Sequence, residues 1–220
     1  MTIGRLTPLQ VYVLKLLAPI RPSWTLTGGA ALVGWHTHHR TTRDLDLFWS
    51  GEHVLGGLPQ EVDALLRAAG LTTEVLQRGA SFERLRVAQG EAVILVDLVA
   101  DPSPLAEAPA FVSVDGVEVR VDTAHQLLVN KLCALLSRSE LRDLTDLRAL
   151  LAAGGNLDRA LADAPRKDSG FSPLTLAWVL RSLPIRVLAG RLDIPGGEVE
   201  ALESFRDTFV GRLATAATPE

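Results

Sequence analysis

The chain has 220 residues, 47% hydrophobic and 22% charged, with a formal net charge of −4. These are globular proportions, and they exclude a disordered, collagen-like or disulfide-scaffold protein. The single cysteine, Cys133, cannot form an internal disulfide and points to a reducing compartment, the cytoplasm, while the acidic balance excludes a surface that binds nucleic acid throughout but leaves room for a local basic site.

Thr7 and Pro8 read as the N-cap and first residue of a helix that continues to Leu17 and stops at Pro19. Gln10 and Lys15 interrupt its apolar run, so neither a signal peptide nor a membrane span is expected there. Trp24 to Thr27 reads as a strand, Gly28-Gly29 as a turn, and Ala30 to Trp35 as the start of a buried helix. Asp44 to Trp49 alternates polar with apolar residues and then turns apolar, the pattern of a central strand with one edge on a polar site. Gln60 to Ala69 has helical spacing and ends at Gly70.

Strands are expected at Thr72 to Gln77, Phe82 to Ala88 and Val93 to Val99, and a hairpin from Phe111 to Val121 turning at Asp115-Gly116. After Asp122 the pattern becomes helical. Thr123 with Gln126 resembles a capping box for a helix to Arg138, and Ser139 can cap a helix running to Ala153, before Gly154-Gly155. Ser172-Pro173 starts another helix running to Leu183, and Val199, Leu202, Phe205, Phe209 and Leu213 line one face of the last. The expected division is a mixed α/β part over 1–121 and an all-helical part over 122–220.

Asp44 and Asp46, two apart on a strand, point to one face and place two carboxylates within reach of a shared cation. Oxygen donors of this kind suit Mg²⁺ or Mn²⁺; the plain alternative is an exposed acidic strand end. Asp97 interrupts the apolar run Val93 to Val99, where a buried carboxylate needs a partner, either a cation shared with Asp46 or a salt-bridged arginine. Gly28-Gly29 allows close backbone approach and can cradle an anion, or it is simply a tight turn. Arg40 and Thr42 fall on the acid face if the strand continues back from Asp44, and they rank above Arg43 as phosphate contacts.

Of the 22 lysines and arginines only Lys15, Lys131 and Lys167 are lysines. Lys131 shares a helix face with Arg138, which suits a triphosphate. Arg142 and Asp146, four apart, can pair with each other. His36, His38 and His39 read as a polar loop rather than a zinc site, and Arg181, Arg186 and Arg191 as a solvated face.

Two blocks resemble the AbiEii/AbiGii-type nucleotidyltransferase family, whose members include toxins of bacterial type IV toxin-antitoxin systems. The first runs from Thr27-Gly28-Gly29 through Arg40-Thr41-Thr42-Arg43-Asp44-Leu45-Asp46-Leu47-Phe48; the second comprises Lys131 to Leu135, Arg138 and Arg142 to Leu147. The resemblance implies a nucleotidyltransferase-like mixed sheet with flanking helices followed by a helical C-terminal part. It places Gly28 and Gly29 at the phosphates, with Asp44, Asp46 and Asp97 on Mg²⁺ or Mn²⁺. Lys131 falls at the triphosphate and Asp146 as a further acid; Arg40, Thr42 and Arg138 complete the nucleotide contacts. Gly29 stands where many such families carry a small hydroxyl residue, so backbone amides replace that contact. The tail after Leu150 lies outside the resemblance.

The expected reaction moves a nucleoside monophosphate from an NTP to an acceptor, a tRNA end first and a protein hydroxyl next. A cognate antitoxin would be encoded elsewhere. Two other readings stay open at this point: a non-catalytic nucleotide-binding regulatory module, and a nucleotidyltransferase acting on a small molecule such as an aminoglycoside.

Overall fold

The computed structural model describes residues 4–191 and 196–216. The chain divides into two compact units, residues 1–127 and 128–220. The first contains a seven-stranded mixed sheet ordered β3-β4-β5-β2-β1-β7-β6, with β1 Thr25–Thr27, β2 Asp44–Ser50, β3 Thr72–Arg78, β4 Phe82–Gln89, β5 Ala92–Asp101, β6 Ala110–Val114 and β7 Val117–Val121. Parallel pairing joins β2 to β5 and β1 to β7; the other neighbours run antiparallel.

Helix α1, Pro8–Leu17, starts as its sequence dictates. Thr7 accepts from the Gln10 amide at 3.2 Å, and the Gln10 side chain accepts from the Thr7 amide at 2.8 Å, a reciprocal cap that satisfies two otherwise orphaned donors. Gln10 is itself fully buried. Its Nε2 donates to the carbonyls of Thr42 and Asp44 at 3.2 and 3.3 Å, so the residue that broke the apolar run fixes the entry to β2.

In β2 the alternation is strict. Leu45, Leu47 and Trp49 are buried, while Asp44, Asp46, Phe48 and Ser50 are half-buried on the opposite face. The strand is the fourth of seven, central as its composition predicts. Before it, β1 passes directly into α2, Gly28–Ala31, and then a π-helical segment, Leu32–His36. The glycine pair is therefore the first part of the helical segment rather than a separate turn. Helix α3, Leu58–Ala68, buries Val62 and Leu66 and ends before Gly70, whose φ of +80° makes the left-handed stop. The β6-β7 hairpin turns at Asp115 and Gly116, both with positive φ as a type I′ turn requires.

Helix α4, Ala124–Arg138, begins before the division between units, so the expected boundary at Asp122 precedes the helix while the compact units divide inside it. Thr123 accepts from the Gln126 amide at 3.1 Å, and the Gln126 side chain accepts from the amides of Ala106 and Glu107 at 2.7 and 3.1 Å, anchoring the loop ahead of β6.

The second unit continues with α5 Leu141–Ala152, α6 Leu157–Lys167, α7 Pro173–Arg181, α8 Ile185–Gly190 and α9 Gly196–Ala216. Ser139 does not cap α5: its φ is +53° and its hydroxyl donates back to the Leu135 carbonyl at 3.2 Å. Helix α9 packs against α7, burying Val199, Leu202, Phe209, Val210 and Leu213, with Phe205 stacked on Phe209 at 5.6 Å. Among the described residues no helix is long and apolar enough to cross a membrane.

Candidate active site

Strand register assembles the candidate site in the first unit. Asp46 of β2 lies opposite Asp97 of β5 on one side and Thr27 of β1 on the other, and Asp97 lies opposite Arg84 of β4. In-register neighbours on adjacent strands share a face, so Arg84, Asp97, Asp46 and Thr27 form one row across four strands. Asp44, two residues before Asp46, stands on the same face. Adjacent strands are separated by only about 4.8 Å, which forces the Asp46 and Asp97 carboxylates into mutual range.

Two anions at that spacing need compensation, and Arg84 provides it. Its Nε donates to Asp97 Oδ1 at 2.7 Å and its Nη2 to Oδ2 at 2.6 Å, a bidentate pair. The salt-bridge partner that the sequence allowed for Asp97 is thus present, and it is Arg84. The hydrogen bond to Asp97 holds the guanidinium pKa above its ordinary value against partial burial, and the charges of Asp97, Asp44 and Asp46 add to it. The guanidinium carbon also lies 5.9 Å from the centre of the Phe82 ring.

The glycine pair closes on the same acids. Gly28 has a φ of +62°, and a β-carbon there would overlap the Asp46 carboxylate, 2.7 Å from its Cγ. A β-carbon on Gly29 would lie 2.9 Å from Arg40 Nη2 and 3.2 Å from Thr42 Oγ1. Gly28, Gly29, Arg40, Thr42 and Asp46 therefore converge on one cradle that side chains at the glycines would fill. Strand β2 starts at Asp44, so the backward continuation on which the ranking of Arg40 and Thr42 depended is absent. Residues 37–43 form a loop that delivers Arg40 and Thr42 instead, and Thr42 Oγ1 accepts from the Asp44 amide at 3.2 Å. Arg43 is exposed.

Asp122, buried just after β7, is a residue that sequence reasoning left without a role. It accepts from Thr27 Oγ1 at 2.5 Å, and its amide donates to the Leu26 carbonyl at 2.9 Å. The signal for it was an acid where a strand passes into a helix. His36 Nε2 lies 2.8 Å from the Asp122 carbonyl, His38 Nδ1 2.9 Å from the Val33 carbonyl and His39 Nδ1 2.8 Å from Thr37 Oγ1. Each of these rings thus has a local partner.

Among the described residues no group of three or more His, Cys, Asp or Glu side chains is arranged around one ion position. Asp44 and Asp46 do present oxygen donors on a half-open face beside the glycine cradle. Mg²⁺ is commonly held by one or two carboxylates together with substrate phosphates, and this donor set fits that mode.

Lys131, Arg138 and Asp146 belong to the second unit, where they meet Asp143. Lys131 Nζ lies 2.9 Å from Asp143 Oδ1 and 2.6 Å from Asp146 Oδ2, and Arg138 Nε lies 2.7 Å from Asp143 Oδ2. Both aspartates are fully buried. Burial lowers the Lys131 pKa, but the charges of Asp146 and then Asp143 outweigh it and raise the value above the ordinary 10.5. Asp146 thus pairs with Lys131, where the sequence had offered Arg142 as a partner, and the cluster joins α4 to α5.

The chain matches, over residues 14–193, the family described as Nucleotidyl transferase AbiEii toxin, Type IV TA system, and it belongs to that family. The match runs well past Leu150, where the sequence resemblance ended. Among solved structures, JHP933 from Helicobacter pylori is 18% identical with a TM-score of 0.54, covering 94% of this chain and 90% of its own. The antibiotic-resistance factor ANT(2'')-Ia is 16% identical with a TM-score of 0.51, covering 74% of this chain and 94% of its own. At these identities the likeness is one of fold. No curated protein sequence matches the chain.

Proposed function

For this member of the AbiEii nucleotidyl transferase toxin family, we propose a transfer of a nucleoside monophosphate from an NTP to an acceptor hydroxyl. The acceptor oxygen bonds to the α-phosphorus, the bond to the β-phosphate oxygen breaks, and pyrophosphate leaves. The observation that carries this reading is the cradle at Gly28, shaped so that the Asp46 carboxylate occupies the space of the missing side chain beside Asp44 and in register with Asp97.

In this reading Asp44 and Asp46, with Asp97, hold Mg²⁺ or Mn²⁺, which when bound supplies charge neutralisation at the transferred phosphoryl and lowers the pKa of the acceptor hydroxyl. Because Gly28 and Gly29 carry no β-carbon, Asp46, Arg40 and Thr42 pack directly against this stretch of backbone, where the phosphates would be met. Arg40 and Thr42 line the same cradle and add a cation and a hydroxyl donor to the phosphate oxygens. Asp97 orients the acceptor hydroxyl and takes its proton. The acceptor in this reading is a tRNA end and the site of action the cytoplasm, with a separately encoded antitoxin as partner; analogy with the family is what supports these.

The test is incubation of the chain with Mg²⁺ and each α-³²P-labelled NTP in turn, offering total tRNA, total cell protein and an aminoglycoside as separate acceptors, beside Asp44→Ala. Label on tRNA from the unaltered chain alone supports the reading. Label confined to the aminoglycoside moves the assignment to a small-molecule transferase. NTP binding without label on any acceptor moves it to a regulatory module.

A further inference from the structure

The bidentate partner of Asp97 adds a feature that the reaction scheme does not use. Asp97 has an 8% exposed side chain, on the face of β5 that also carries the half-buried Leu95 and Val99 and in register with Arg84 and Asp46. A carboxylate there is never stable alone, because a buried unpaired charge carries a large desolvation penalty. Arg84 meets both of its oxygens, yet the Arg84 side chain is 39% exposed. The acid is fixed in the sheet while its counter-ion reaches it from a partly solvated position, and such a guanidinium can leave at modest cost if another cation takes its place. Phe82, two residues earlier on the same face of β4, lies beside the guanidinium through a contact independent of Asp97.

Resting on the metal-dependent reading above, we propose that Arg84 is a built-in, displaceable counter-ion: it pairs with Asp97 through both carboxylate oxygens, so that a divalent cation gains this carboxylate only by exchanging with the guanidinium. Exchange keeps Asp97 paired at every stage. It also makes the empty chain a poor metal binder, because an ion arriving alone meets a carboxylate already neutralised. An ion arriving with a triphosphate brings anions to which the released Arg84 can turn. Arg84 is thus a positioning residue that acts through Asp97, and it couples metal loading to nucleotide loading.

The test uses the full chain without nucleotide, titrated with Mn²⁺ and followed by the electron paramagnetic resonance signal of the free aqua ion. Arg84→Gln is expected to bind Mn²⁺ more tightly than the unaltered chain, by about fivefold or more, and this gain is expected to vanish in the Asp97→Asn background, as coupling between contacting residues requires. Arg86→Gln, which removes the same charge from the same face of β4 without a contact to Asp97, is expected to change affinity by less than about twofold. A thermal melt of each variant establishes that it is folded. Should Arg84→Gln fail to fold, Arg84→Lys decides, since a single-point contact in place of the fork must also bind Mn²⁺ more tightly than the unaltered chain.

Equal or weaker Mn²⁺ binding in Arg84→Gln overturns the inference while leaving the transferase reading intact. So does a gain that persists in the Asp97→Asn background, which would mark a general charge effect. Absence of Mn²⁺ binding in every variant, with and without NTP, overturns both.

Discussion

Replacing Gly28 with alanine is the sharpest single test of how backbone shape serves the acids. The residue has a φ of +62°, and its β-carbon would lie 2.7 Å from Asp46 Cγ and 3.2 Å from Asp46 Cβ. An L-residue in the left-handed region costs about 1–2 kcal/mol. In a chain of this size each kcal/mol moves the melting temperature by about 2–4 °C, so a drop of roughly 2–8 °C follows. The overlap falls on a short side chain, which must swing away from the cradle to clear it. A shift on the order of 1 Å at a reacting group can cost about 100-fold in rate. Gly29→Ala is the internal comparison. Its β-carbon meets the flexible end of Arg40 at 2.9 Å and Thr42 Oγ1 at 3.2 Å, and its φ is not in the left-handed region. Thermal melts read the stability arm, and single-turnover transfer from labelled NTP reads the activity arm. Gly28→Ala should lose far more activity than Gly29→Ala; a Gly28→Ala protein that transfers at the unaltered rate would refute the placement of Asp46 in the cradle.

Asp46→Asn keeps the size of the side chain and removes its charge; it should cost at least about 100-fold in transfer while the melt changes little, and near-normal transfer would exclude Asp46 from the reaction. Lys131→Met leaves two buried aspartates without their shared ammonium and should destabilise by about 3–5 kcal/mol, so an unchanged denaturant midpoint would show the cluster to be dispensable. Because the folded-state pKa of Lys131 is raised above 10.5, its stabilising contribution is complete below that pH and is lost as pH rises through the raised value. Lys131→Met should therefore flatten the alkaline fall in melting temperature. Burial pushes the Cys133 thiol up to about 11, so iodoacetamide at pH 8 should label the folded chain far more slowly than the chain in denaturant.

Much of the first unit was legible because local chemistry and tertiary context agree there. Thr7-Pro8 with Gln10 caps α1, Asp115-Gly116 turns the hairpin, and the alternation from Asp44 onward defines a strand with one buried face. Two helices, α6 and α8, were missed for opposite reasons. Helix α6 carries Pro165 in its interior, a residue that ordinarily argues against a helix, although Asn156 caps its start by accepting from the Arg159 amide at 3.0 Å. Helix α8 has six residues and follows Pro184 directly, too short for a periodic signal. The acids of the candidate site were found by type and spacing, but their partners were not. Arg84 faces Asp97 because β4 and β5 pair in one particular register, and nothing local in Phe82 to Gln89 states that register. Asp122 likewise gains meaning only when β7 runs alongside β1 and brings it to Thr27.

Among the described residues two concentrations of acid stand out, and their surroundings differ. Asp143 and Asp146 are fully buried, and Lys131, itself nearly buried, lies within hydrogen-bonding distance of both, with Arg138 completing the neutralisation of Asp143. Pairing this complete joins α4 to α5, and the expected roles of Lys131 at the triphosphate and of Asp146 as a further acid stand as proposals that a transfer assay on Lys131→Ala and Asp146→Asn would test. Asp44 and Asp46 instead stand half-buried on the open face of β2, with Asp97 beside them neutralised by an arginine that is itself partly in solvent. On the proposed reading, a site that receives a cation with its substrate needs this second condition: acids close enough to repel, fixed by register, and compensated by something that can be exchanged. The same strand chemistry in a sealed interior would be as stable but could admit nothing, and it is accessibility, more than the number of carboxylates, that singles out the row at Asp46.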